Sequence, residues 1–313
     1  MKKTSLLSIC FLCLLCLPAW GEVTPVDTIP FELGADSRLY VTVYINGQDD
    51  RPLRFLLDTG ATDVVLNSNS PRTEGLAAFT GSVENSGANS VETIPSTAPS
   101  QVVRMSSRAI SGLKLIAIPY PPDAWDGVLG LSYLRNFDVC IDYRRKAIFL
   151  YELGDGQKAA SDKAVKLKMD YRLGVPVVPV GVKVNGVDYQ VSVEVDTGSD
   201  RVFDLNTPFV RRNGLLGTQK PFAISRIAGT VKDGGELQNV YFDSVTLDWL
   251  ALPRIPGAFS TVTTGVQASE EMDGVLGNNF LQRFNQLYDF KNNDLYLEVN
   301  DRLYTPFYDF LVR

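Results

Sequence analysis

The sequence predicts an all-β protein built from two homologous lobes related by a pseudo-two-fold axis, with one short helix in each lobe. Three observations lead there. The segment DGVLGLSYLRNFDVCIDYRRKAIFLYE, starting at Asp126, aligns without a gap to DGVLGNNFLQRFNQLYDFKNNDLYLEV, starting at Asp273, with nine identities in 27 positions. An Asn-Gly pair after an alternating apolar run occurs twice, at Asn46-Gly47 and Asn185-Gly186, and marks a hairpin each time because both residues tolerate positive φ. The second run of each hairpin ends in the same triplet, Asp58-Thr59-Gly60 and Asp196-Thr197-Gly198.

Taken in order, Lys2 and Lys3 precede an apolar run from Leu6 to Leu17 and then Pro18-Ala19-Trp20-Gly21. Residues 1–21 read as a secretory signal peptide, since the run is too short and wrongly flanked to span a membrane. The expected location is therefore secreted or periplasmic. Lipoprotein anchoring through Cys16 is disfavoured by the large Leu15 before it. Cys10, Cys13 and Cys16 fall in this leader, so Cys140 is left without an intrachain partner and is expected to act as a small buried hydrophobe.

The first lobe is expected over 22–155. Its strands run through Tyr40–Ile45, Phe55–Leu57 and Val64–Leu66, and its helix covers Leu131–Phe137. Residues 80–101, rich in Ser, Thr, Asn and Gly, read either as a surface loop or as a lid over a cleft. A polar, Gly-containing stretch supplies a linker at 156–163. The second lobe, 164–313, repeats the plan through Val178–Val184, Val191–Val195, Val202-Phe203 and a helix over Asn278–Phe284. The middle of each half matches less closely, LKLIAIPYP from Leu113 aligning with LDWLALPRIP from Leu247.

Composition limits the chemistry. The 313 residues include no histidine, which excludes Ser–His–Asp and Cys–His catalysis and removes the commonest transition-metal ligand. Carboxylates, Lys, Tyr and Cys remain as acid–base groups. A net charge of −6 argues against nucleic acid or an anionic membrane as partner. Neither a cofactor nor a metal is expected; Glu270, Glu271 and Asp273 read as a solvated acidic run. Ser111 and Lys114 fit an S-x-x-K pattern, but they precede a strand and lack its companion motifs.

One Asp-Thr-Gly is an ordinary turn sequence. Two at equivalent places in a duplicated fold would be brought face to face by the pseudo-two-fold axis. Carboxyl groups about 3 Å apart cannot both ionise, so the pair shares a proton and can activate a water for attack on an amide. Asp63 and Asp200 do not align between the halves without a one-residue shift and stay outside this site. Trp125 and Trp249 read as core or cleft wall.

FLLDTGATDVVL (Phe55–Leu66), VEVDTGSDRVF (Val193–Phe203) and the two DGVLG segments resemble the aspartic proteases of the pepsin and retroviral-protease superfamily. The closest likeness is to bacterial retropepsin-like proteins with both lobes in one chain. The resemblance implies two retropepsin/pepsin-like β-barrel lobes and an aspartic endopeptidase with Asp58 and Asp196 as catalytic dyad. Thr59 and Thr197 would bond across the lobe interface, Gly60 and Gly198 would line the cleft floor, and Ser199 would support the second aspartate. The flap would lie near 80–101, with Phe79-Thr80-Gly81-Ser82 and Ala228-Gly229-Thr230 as candidate flap segments. A monomer binding a peptide or protein in extended conformation is implied. Position 61 is Ala where its counterpart is Ser199, which takes one hydroxyl donor from the first site and places the working range at mildly acidic to neutral pH. The alternative is a catalytically weak or inactive peptide-binding envelope protein using the same cleft.

Overall fold

The computed structural model describes residues 23–88, 90–226 and 235–307. The leader 1–21 and the segment Ala228-Gly229-Thr230 lie outside the described residues. Three sheets carry the fold: one of ten strands in the N-terminal half, one of eight in the C-terminal half, and one of six that draws strands from both. No helix among the described residues is long and apolar enough to cross a membrane.

Each lobe is organised around a short buried strand. In the first, Gly127–Leu129 lies parallel to Leu53–Leu57 and antiparallel to Val64–Asn67, so it separates the two strands that flank Asp58-Thr59-Gly60. In the second, Gly274–Gly277 lies in the same way between Val187–Asp196 and Phe203–Leu205. The repeated residues have identifiable tasks here. Asp126 accepts the Arg54 amide at 2.8 Å and Asp273 the Ser192 amide at 3.0 Å, which fixes the strand leading to each triplet. A Cβ on Gly130 would lie 2.2 Å from the Asp63 carbonyl oxygen, and one on Gly277 2.3 Å from that of Arg201, so both crossings require glycine. Asp142 and Asp289 each brace the turn that follows, accepting the amides of Arg145 and Asn292 at 2.9 Å.

The hairpin signals resolve differently in the two halves. Asn185 (φ 52°) and Gly186 (φ 78°) form a two-residue turn with Val184 opposite Val187. Asn46 (φ 52°) and Gly47 (φ 73°) instead open a longer loop, because pairing resumes only at Val43 and Leu53.

Several expectations need correction. Helices run over Leu131–Leu134 and Asn278–Leu281, shorter than the repeat suggested, and the C-terminal lobe carries a second helix, Thr207–Arg212. Asn206 before Thr207-Pro208 is a helix-start pattern, with Gly214 at φ 60° beyond its end. Residues 80–101 are not irregular: Gly81–Ser86 and Val91–Ser96 form an antiparallel hairpin. The mid-lobe alignment also shifts. The reverse turns at Ser106 (φ 52°) and Asp248 (φ 50°) are equivalent, so Leu247 matches Met105 rather than Leu113, and Ile116 matches Ala258. Trp249, next to that turn, is exposed, not part of core or cleft. Cys140 is half-buried, because it alternates with the buried Val139 and Ile141 on its strand; its thiol is pushed up to about 12 by burial and is unreactive.

The six-stranded sheet joins the lobes by pairing their equivalent strands, Asp138–Asp142 against Phe284–Asp289, with Val139 opposite Tyr288 and Ile141 opposite Gln286. Residues 156–163 link its strand Ala147–Tyr151 to its strand Val165–Lys168 through a 3-10 turn at Gly156–Ala159. Asp138 ties this region together. Its fully buried carboxylate accepts the amides of Gly154 (2.6 Å), Gly156 (3.0 Å) and Phe290 (3.1 Å). Asp138→Ala strands the N–H groups of Gly154, Gly156 and Phe290, the last two buried, and is expected to cost about 3 kcal/mol. Urea denaturation should show a lower midpoint at unchanged slope, and an unchanged midpoint contradicts this role.

Candidate active site

Strands Leu53–Leu57 and Val187–Asp196 deliver the two Asp-Thr-Gly loops to one place between the lobes. The loops interlock through their threonines. The Thr59 amide donates to Thr197 Oγ1 at 3.0 Å, and the Thr197 amide to Thr59 Oγ1 at 3.1 Å. Each hydroxyl then donates to a carbonyl of the other lobe, Thr59 to Val195 at 2.6 Å and Thr197 to Leu57 at 2.9 Å. Both threonines are buried, so every one of these groups depends on its partner.

The interlock sets the aspartates side by side, their carboxyl groups within hydrogen-bond reach of each other. Each carboxyl lies over the other lobe's glycine. A Cβ on Gly198 would fall 2.3 Å from the Asp58 carboxyl carbon, and one on Gly60 2.8 Å from that of Asp196. Asp58 Oδ1 accepts the Gly60 amide at 2.7 Å; Asp196 Oδ1 accepts the amides of Gly198 at 2.8 Å and Ser199 at 3.0 Å. Ser199 therefore reaches Asp196 through its backbone. Its hydroxyl instead accepts the Arg201 amide at 3.2 Å. The backbone of Ala61 likewise reaches Asp58, so the Ala/Ser difference removes no donor from the first aspartate.

Near-symmetric placement does not make the two acids equivalent. Burial raises Asp58, but the hydrogen bond from Asp196, the Gly60 and Ala61 amides and the charge of Arg38 all pull it down. Asp196 is held well above the ordinary carboxylate range by burial, then by the charges of Asp58 and Glu194, and its hydrogen bond to Asp58 further favours the protonated form. Arg38 on the side of Asp58 and Glu194 on the side of Asp196 therefore favour the proton of the pair on Asp196 and the charge on Asp58.

The residues that create this inequality were not singled out from sequence. Arg38 donates through Nε to the Gly198 carbonyl at 2.8 Å, lies 3.7 Å from Asp200 and 3.5 Å from Asp36, and stacks over Trp125. Asp200 thus braces the lobe interface, while Asp63 pairs with Lys114 at 3.1 Å. Glu194 is 4% exposed, and its Oε1 lies 2.8 Å from the point where a Gly60 Cβ would sit. A signal for Glu194 existed: in Val191-Ser192-Val193-Glu194-Val195-Asp196 the strand alternation puts Glu194 on the face of Asp196.

Above the pair, the hairpin Gly81–Ser86/Val91–Ser96 packs Val83 and Ile94 onto an apolar wall of Leu56, Val65, Ile116 and Val128, flanked by Tyr120 and Trp125. Phe79-Thr80 leads into its first strand. The hairpin reaches the opposite lobe, where the amides of Val266 and Gln267 donate to the carbonyls of Gly87 (3.0 Å) and Ala88 (3.2 Å). Segment 80–101 therefore spans the cleft between the lobes. No cluster of potential metal ligands occurs among the described residues.

Thr59→Val keeps the side-chain shape while removing a hydroxyl that both donates and accepts across the interface. It is expected to lower unfolding free energy by about 2–3 kcal/mol in denaturant titration. A change under about 0.5 kcal/mol would show that the interlock does not hold the lobes together.

Residues 41–136 match the family model described as gag-polyprotein putative aspartyl protease. The structure of an aspartic proteinase from Irpex lacteus superposes with a TM-score of 0.58, covering 90% of this chain and 99% of that one at 12% identity, a likeness of fold. No curated protein sequence gives a significant match. The duplicated β lobes and the interlocked Asp-Thr-Gly loops thus accompany a two-lobed all-β fold like that of this aspartic proteinase, and the family-model match over residues 41–136 includes the first of those loops.

Proposed function

We propose that the protein is a secreted or periplasmic, monomeric endopeptidase that hydrolyses peptide bonds with Asp58 and Asp196. The observation that carries this reading is the threonine interlock, which brings the two Asp-Thr-Gly loops together with each aspartate carboxyl lying over the other lobe's glycine. A peptide enters in extended conformation beneath the Gly81–Ser96 hairpin, whose strand edges offer main-chain pairing. A water held between the carboxyls gives its proton to Asp58 as its oxygen attacks the scissile carbonyl carbon. Asp196 donates its proton to the developing oxyanion. Collapse of the tetrahedral intermediate breaks the C–N bond, the amine leaves with the proton held by Asp58, and the carbonyl oxygen returns its proton to Asp196. No covalent intermediate is required, and the absence of histidine from the chain is no obstacle.

The closed contact between hairpin and opposite lobe supports a lid role, because the Gly87 and Ala88 carbonyls must release Val266 and Gln267 for a peptide to enter.

Asp58→Asn and Asp196→Asn should each reduce kcat/KM on a peptide library by at least about a thousandfold while leaving the fold intact by circular dichroism. Wild-type turnover in both variants would refute the assignment. The active form needs Asp58 charged and Asp196 protonated, and burial raises both acids. The acid limb of the pH–rate profile should therefore lie above the ordinary carboxylate range, with the maximum at mildly acidic to neutral pH. A maximum near pH 2–3 contradicts this electrostatic account.

A further inference from the structure

The two lobes carry equivalent rows of side chains on the face that bears the aspartates, and the rows differ in chemistry. In the N-terminal lobe the register runs Leu56, Val128, Val65, Ile116, Ser96 across adjacent strands. In the C-terminal lobe the same register runs Glu194, Val275, Asp204, Ala258, Asn239. Leu56 is thus replaced by Glu194 and Val65 by Asp204.

Part of the second row is internally satisfied. Arg201 holds Asp204 in a bidentate pair at 3.0–3.2 Å and donates to Asn239 Oδ1 at 2.7 Å, while Gln267 Nε2 donates to Asp204 Oδ2 at 3.2 Å. Two acceptors remain. No hydrogen bond to the Glu194 carboxyl is made among the described residues, its side chain being 4% exposed, and Gln267 Oε1 is a buried acceptor without a partner. Gln267 also underlies the hairpin tip through its amide bond to Ala88, so its side chain belongs to the covered part of the cleft. A buried acceptor without a donor, such as Gln267 Oε1, is costly, and a cationic ligand that supplies donors there also favours the charged form of Glu194.

We propose that Glu194, with Gln267 Oε1 beside the same row, makes the C-terminal-lobe half of the cleft select a lysine or arginine next to the scissile bond, while the apolar row of the N-terminal lobe takes an apolar residue on the other side. This inference rests on the endopeptidase reading for its substrate class. Glu194 faces Asp58 and Asp196 across Gly60, with the Arg201–Asp204 pair further along its row and Arg38 beyond Gly198. Burial and the Asp58 charge push its carboxyl up to about 8. A cation bound there favours the charged form, so preference for it grows as pH rises towards 8, by up to about tenfold per unit.

The test uses paired peptides with lysine or its uncharged analogue norleucine at each position flanking the cleaved bond, together with non-hydrolysable statine versions for calorimetry. Wild type, Glu194→Leu and Glu194→Gln are compared. Wild type should favour lysine at one flanking position by about tenfold or more in both kcat/KM and affinity, increasingly at higher pH. Glu194→Leu should reverse that preference, and Glu194→Gln should remove its pH dependence. Equal lysine-to-norleucine ratios in all three proteins overturn the proposal, even if cleavage is efficient. Tight, Glu194-dependent binding of the lysine peptide without turnover would instead sustain the subsite and refute the endopeptidase reading. No binding of either peptide overturns both.

Discussion

The reciprocal bonding of Thr59 and Thr197 is the constraint on which the rest of the molecule depends. Each threonine uses its amide and hydroxyl to satisfy groups belonging to the other lobe. Neither lobe can therefore bury its Asp-Thr-Gly loop alone without stranding polar groups. The glycines lock the same joint from the other side, each filled against the opposite carboxyl. Pairing of Asp138–Asp142 with Phe284–Asp289 in the shared sheet holds the lobes at the distance this contact needs. The geometry of the aspartate pair is thus a consequence of the duplicated architecture.

Duplication alone would make the two acids identical, and proposed catalysis needs them different. The difference comes from residues outside the repeated motif. Arg38 favours a charged Asp58, whereas burial and the acidic neighbours Asp58 and Glu194 disfavour a charge on Asp196. The same departure from symmetry extends along the cleft wall, where an apolar row faces a polar one. Glu194 takes part in both asymmetries, at the pair beside Asp196 and along the wall where Leu56 stands in the other lobe.

Much of this was legible in the sequence because it rests on short-range rules applied twice. The alignment from Asp126 and Asp273 located the buried crossing strands, since both glycine and aspartate there serve close backbone contacts that tolerate no substitute. Where sequence patterns misled, tertiary pairing had decided. The polar composition of 80–101 suggested a surface loop or a lid, and its backbone is paired as a hairpin whose Val83 and Ile94 pack on the apolar wall. The match of Leu113 to Leu247 followed shared apolar and proline residues, while the structure aligns the reverse turns. The Thr207–Arg212 helix has a start signal at Asn206-Thr207-Pro208 but no counterpart in the first lobe, so the internal repeat does not mark it. Arg38 lies 160 positions from the Gly198 carbonyl it binds, and no local pattern connects them. The hydroxyl of Ser199 was expected at Asp196, but the turn presents its amide there instead.

The central claim is that one chain assembles a single water-activating pair from both lobes. The most direct measurement is a crystal structure of the protein with a statine-type peptide, whose central hydroxyl takes the place of the attacking water. The account predicts that hydroxyl within hydrogen-bond distance of both Asp58 and Asp196, with the peptide extended beneath the Gly81–Ser96 hairpin. A peptide bound with its hydroxyl on only one aspartate, or with the second carboxyl supplied by another copy of the chain, would contradict it.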